Sequence, residues 1–113
     1  MRLSKEALLA GCPREFAEVD IGVGTVRVRT LSAGEQLALE QALRKLHESN
    51  DLQAVMVQQL AAYVADDDGG PLLTVEEAVR MMALSPQAIT KIVSAAQDLN
   101  RWTDSEREAV RGN

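Results

Sequence analysis

The sequence predicts an α+β fold, predominantly helical, in which one N-terminal β-hairpin packs with about five helices. Three observations carry that reading. Hydrophobic residues make up 46% of the chain and aromatic residues only 3%, so the core is built from Leu, Val, Ile, Met and Ala, which suits helix-on-helix packing better than a sandwich of sheets. From residue 32 onward, apolar residues recur at spacings of three and four. Residues 16 to 30 instead alternate apolar and charged side chains on either side of two glycines. A chain of 113 residues fits a single domain, 1–113, and a domain of this size buries only about two-thirds of its unfolded surface. Self-association is an easy way to bury more.

The elements follow in order. Residues 4 to 10 read as a short helix with Ser4 as N-cap, Gly11 just past its end, and Leu8 and Leu9 as its main apolar groups. Pro13 stops any continuation. The hairpin spans 16 to 30: Val19 and Ile21 alternate with Glu18 and Asp20, Val26 and Val28 with Arg27 and Arg29, and Gly22-Val23-Gly24 forms the loop. Its charged face pairs two acids on one strand with two arginines on the other, each cross-strand pair adding about 0.2–1 kcal/mol.

The helical part runs from 32 to 111. Ser32 and Glu35 form a capping box, in which each side chain satisfies the other's unpaired backbone N–H. That helix reaches about residue 48, with Leu39, Ala42, Leu43 and Leu46 on one stripe. Asn50 or Asp51 caps the next, where Leu52, Met56, Leu60, Tyr63 and Val64 share a face. Asp66 through Pro71 is a turn, because no helix runs through Gly69-Gly70-Pro71. A second capping box, Thr74 with Glu77, opens a helix with Val75, Val79 and Met82 inward. Ser85-Pro86 starts another, whose stripe of Ile89, Ile92, Val93, Ala96 and Leu99 is the cleanest in the chain. Thr103 and Glu106 form a third capping box before a short charged terminal helix.

Composition excludes several function classes. The net charge is −5 and the pI near 4.8, with basic residues scattered among acidic ones, whereas a nucleic-acid binder needs clustered Lys and Arg to displace counterions from phosphates. Direct nucleic-acid binding is therefore not expected. No apolar run approaches the roughly 20 residues that cross a bilayer, the amino terminus lacks a secretory pattern, and the lone Cys12 fits a reducing compartment. The expectation is a cytosolic protein with no membrane association.

Catalytic chemistry is equally thin. One His and one Cys cannot build a four-ligand zinc site. His47, near a helix end beside Glu48, is explained by the favourable dipole at a helix C-terminus. Cys12 has only Arg14 nearby to activate it. Gly22-Val23-Gly24 lacks the third glycine and following helix of a dinucleotide fingerprint. Asp66-Asp67-Asp68-Gly69 invites comparison with a calcium loop, but Pro71 stands where that loop requires glycine, and a solvated acidic turn is the better reading. No enzyme, cofactor or metal is expected. What remains is surface: the methionines, Met81 and Met82 among them, either fill the core or offer adaptable apolar contact, and the 85–101 helix serves either a core or a partner helix.

The order of these motifs resembles the tail assembly chaperones of siphophages and related prophages. The resemblance rests on the opening Leu3-Ser4-Lys5-Glu6-Ala7-Leu8-Leu9-Ala10, on Gly24-Thr25-Val26-Arg27-Val28-Arg29-Thr30-Leu31 running into Ser32-Ala33-Gly34-Glu35, on Asp66-Asp67-Asp68-Gly69-Gly70-Pro71-Leu72 followed by Thr74-Val75-Glu76-Glu77, and on the alanine-rich helix ending Leu99-Asn100 before an acidic tail. It departs at Trp102, where a smaller aliphatic residue is expected. The resemblance implies a chaperone in the cytoplasm of the bacterial host that coats the tape measure protein, helps recruit the major tail protein through a longer frameshifted product, self-associates, and is absent from the finished virion. Leu8, Leu9, Met81, Met82, Ile89, Ile92 and Trp102 are the expected partner-binding residues. The competing expectations are a permanent connector or terminator subunit of the virion and a small acidic regulatory protein.

Overall fold

The computed structural model describes residues 2–11 and 14–100. Helix α1 spans Lys5–Ala10, strands β1 and β2 span Phe16–Asp20 and Thr25–Arg29, and four further helices follow: α2 at Ala33–Glu48, α3 at Leu52–Tyr63, α4 at Val75–Arg80 and α5 at Pro86–Asn100. A single 3-10 turn, Met81–Ala83, extends α4. The expected α+β, mostly helical architecture with its N-terminal hairpin is what the chain adopts.

The helix starts are those marked by the capping residues. Ser32 Oγ accepts from the Glu35 N–H while the Glu35 carboxylate accepts from the Ser32 N–H, and Thr74 with Glu77 repeats the arrangement. Of the two possible caps for α3, Asp51 serves, accepting from the Ala54 N–H, and Asn50 takes the left-handed conformation that turns the chain out of α2. Ser85 accepts from the Ala88 N–H at the start of α5. The third capping box, Cys12 and Trp102 lie outside the described residues.

The strands pair antiparallel with Glu18 opposite Arg27 and Val19 opposite Val26. The loop glycines Gly22 and Gly24 both have positive φ, as a tight reversal between strands requires. The hairpin's apolar face, led by Val19 and Val28, packs on α5, whose Ile89, Ile92, Val93 and Ala96 are all buried. Helix α3 contributes Val57, Leu60 and Tyr63 from the other side and also contacts α2 and α4. The core thus lies between the hairpin and α3, with α5 running through it.

Two features of the sequence reading are corrected. Val75 and Val79 do not face inward: they are 41% and 46% exposed, and Ala78 is the fully buried residue of α4. A six-residue helix presents one narrow face, and Ala78 lets its backbone approach α3 more closely than a valine would. Likewise Leu52 is exposed while Val57 takes the buried position in α3, because Leu52 occupies the first turn, beyond the reach of the core.

The second correction concerns Arg29. Arg27 pairs with Glu18 at 3.1 Å as expected, but Arg29 sits opposite Phe16 and is only 5% exposed. The chain beyond α3 covers it. Val64 bridges to Val28, Ala65 bridges to Pro71, and the Ala65 N–H donates to the Arg27 carbonyl. The acidic turn is therefore folded onto the hairpin edge and is not merely a solvated link between helices.

Candidate partner-binding surface

Three features stand outside the core among the described residues: a polar latch, an exposed leucine arm and an apolar groove. The latch begins with Arg14, two residues before β1. Its guanidinium donates to both Glu35 carboxylate oxygens, at 2.7 and 2.8 Å, and to the Thr30 carbonyl at 2.9 Å. Arg29 donates from Nε to the Ala62 carbonyl and from Nη1 to the Gly69 carbonyl, and its Nη2 lies 3.6 Å from Glu35. Hydrogen bonding from Arg14 holds the Glu35 carboxyl down at about 2, with the Ser32 N–H and the Arg29 charge adding to the effect against its partial burial. Burial pushes the Arg29 guanidinium pKa down, and Glu35 opposes that shift. One carboxylate thereby ties the segment before β1, the end of β2 and the start of α2 together.

The Gly69 contact in this cluster is specific to glycine. Its φ is +89°, a conformation that side chains rarely adopt, and a Cβ placed there would stand 3.0 Å from the Phe16 ring, which would have to shift slightly. Arg27 Cζ stacks over the same ring, 4.8 Å from its centroid. Asp66 shapes the turn: one carboxylate oxygen accepts from the Asp68 and Gly70 N–H groups. That carboxylate is committed to the backbone. Among the described residues no group of three His, Cys, Asp or Glu side chains is placed to hold a metal ion.

Helix α1 is the arm. Ser4 caps it and Gly11, at φ +78°, ends it, yet none of its residues is buried. Leu8 and Leu9 are 66% and 75% exposed, and Leu3 is exposed beside them. The groove runs along α3 between α2 and the start of α4. It consists of two adjoining concavities of about 380 and 360 Å³ that share Gln58 and Val75. Ala38, Leu39, Ala42, Ala61 and Leu73 line the first, and Leu46, Ala54, Val57 and Val79 the second.

The residues singled out from sequence do not form one surface. Leu8 and Leu9 stand on the arm. Met81 and Met82 are half-buried against the core. Ile89 and Ile92 are corrected: both are buried between the hairpin and α3 and present nothing to a partner in this conformation, since the α5 stripe serves the core. Trp102 lies outside the described residues. The groove walls Val75 and Val79 were misread as core because three-four spacing identifies an apolar face without saying what covers it. The latch had no local signal, the side-chain hydrogen bonds of Arg14 and Arg29 reaching partners 16 to 40 residues away along the chain.

No family model matches the chain, and no curated protein matches it in sequence. Comparison with solved structures finds the tail assembly chaperone of bacteriophage HK97, with a TM-score of 0.54 at 18% identity, covering 86% of this chain and 94% of that one. The two chains share a fold. Coverage of this extent spans the hairpin and the helical layers together, so the likeness concerns the order and packing of the elements as a whole. At this identity it is a likeness of architecture.

Proposed function

We propose that this chain is a tail assembly chaperone of a long-tailed bacteriophage or related prophage. The observation that carries the reading is the fold shared with the HK97 tail assembly chaperone over 86% of the chain. The surface supports it: an exposed leucine arm and an apolar groove on a body of net charge −5 suit a holdase that covers apolar helix faces while staying in solution. In this reading its client is the tape measure protein, a long helical chain whose apolar stripes need cover until the tube assembles. Many weak contacts along one client give avidity without a tight single site.

The same reading extends to self-association, to residence in the host cytoplasm, and to a longer frameshifted product that recruits the major tail protein. It needs no cofactor and no bond-making chemistry. Co-purification tests it. Tagged chain expressed with the tape measure protein of its own gene cluster should retain that protein on the affinity resin, and purified virions should lack the chain. A tape measure protein that passes through the resin unbound contradicts the proposal; the chain found in finished particles favours a permanent connector or terminator subunit instead.

A further inference from the structure

We propose that Trp102 seats its indole in the chain's own body, in the concavity beside the end of α5, and so fastens the segment that follows that helix. The concavity holds about 390 Å³ and is walled by Leu31, Ala33, Gln36, Tyr63, Gln97 and Asn100. It shares no lining residue with the groove along α3. The inference stands apart from the chaperone reading, which the client tests.

Position carries the first argument. Asn100, where the described part of α5 ends, also walls the concavity. Its side chain fixes the exit: Oδ1 accepts from the Leu31 N–H at 2.8 Å, and Nδ2 donates to the Arg29 and Ala96 carbonyls at 3.1 and 2.8 Å. Two further residues reach at most about 7 Å from that point, which keeps Trp102 within a side chain's length of the rim. Thr103 and Glu106 read as a capping box, and neither an N-cap residue nor the one before it is helical. Trp102 thus takes the place that commonly packs on an apolar residue in the next turn, but that residue is Arg107. The indole lacks this local partner and gains from one elsewhere.

Chemistry carries the second argument. An indole is a broad apolar ring with one polar edge, and when buried its N–H finds an acceptor. Leu31, Ala33 and Tyr63 offer apolar contact, and the Gln36 and Gln97 side-chain carbonyls offer acceptors. Gln36 Nε2 already donates to Glu40 at 3.3 Å, which leaves its carbonyl oxygen to accept. An aromatic pair with Tyr63 adds to the burial. One side chain in this seat ties the segment after α5 to the β2–α2 junction and to the end of α3.

Trp102 is the sole tryptophan, so fluorescence of the full chain reads the seat directly. In the folded wild type its emission should lie to the blue of the urea-unfolded chain, and acrylamide should quench it severalfold less. Both properties should survive dilution. The blocking variant is Ala33→Glu/Gln97→Glu: both residues are exposed, and an acid in the first turn of α2 suits the helix dipole. Far-UV circular dichroism verifies its fold, and Gln97→Glu alone replaces the pair should helical signal fall. Blocking should move the emission to the red and raise quenching towards that of the unfolded chain. A double-mutant cycle in urea gives a second readout. Trp102→Ala should lower the unfolding midpoint of the wild type and leave that of the blocked chain unchanged. An indole as quenchable in the folded wild type as in urea overturns the proposal, as does one still shielded in the blocked chain. Shielding lost on dilution, which belongs to a second copy, or equal losses from Trp102→Ala in both backgrounds also overturns it.

Discussion

Glu35 accepts two hydrogen bonds from Arg14 and one from the Ser32 N–H, and it faces the buried Arg29. Its replacement by Gln should cost about 1–3 kcal/mol in urea unfolding, since it removes the acceptor charge and leaves Arg29 with less compensation. The pH dependence follows from the same contacts. The folded carboxyl titrates at about 2 and an unfolded one near about 4.3, so the folded state gains at any pH above the latter. That gain is lost as pH falls from about 5 to 2. Unfolding midpoints of the wild type should decline across that window, and Glu35→Gln should flatten the decline. An unchanged slope in the variant would mean that other carboxylates carry the acid sensitivity. Gly69→Ala is expected to cost about 1–3 kcal/mol because it combines a strained φ with a tight approach to the Phe16 ring. Thermal melts of this variant beside Gly34→Ala, a glycine with open space around it, check the claim, and equal melting temperatures would refute it.

Among the elements, α5 and α4 show what apolar spacing reveals and what it hides. The α5 stripe was legible because Ile89, Ile92, Val93 and Ala96 recur over a helix long enough for one face to be unmistakable. The caps were legible for the same local reason: Ser32 with Glu35, Thr74 with Glu77 and Ser85 before Pro86 act within one turn. In α4 the spacing named the wrong face, since a helix this short leaves Val75, Val79 and Ala78 all admissible inward and only the neighbouring helix decides. Long-range polar ties had no periodic signature at all. Asn100 accepts from the Leu31 N–H and donates to the Arg29 carbonyl, fastening the end of α5 to the strand–helix junction across 69 to 71 residues of sequence. Of the expected partner-binding residues, Leu8 and Leu9 are exposed and Ile89 and Ile92 are buried, while the groove along α3 had no signature in the spacing. The contrast between the helices is testable. Ile92→Ala should destabilise by about 2–5 kcal/mol, whereas Val75→Ala, on a half-exposed wall, should shift stability by less than about 1 kcal/mol. Denaturant midpoints decide, and similar losses for both would place Val75 in the core after all.

Across the whole molecule, polar and apolar surfaces are divided between distinct tasks. Among the described residues the core is closed around α5, the latch fixes the hairpin to the helical layer, and the leucine arm and the groove stand outside it. On the proposed reading, those outer features cover another chain's apolar helices. The decisive measurement is the soluble fraction of the tape measure protein after centrifugation of cells expressing it with and without this chain. A severalfold rise in the soluble fraction when the chain is present is expected, together with a smaller rise for Leu8→Asp/Leu9→Asp. A client that pellets to the same extent in both cultures would contradict the shielding role.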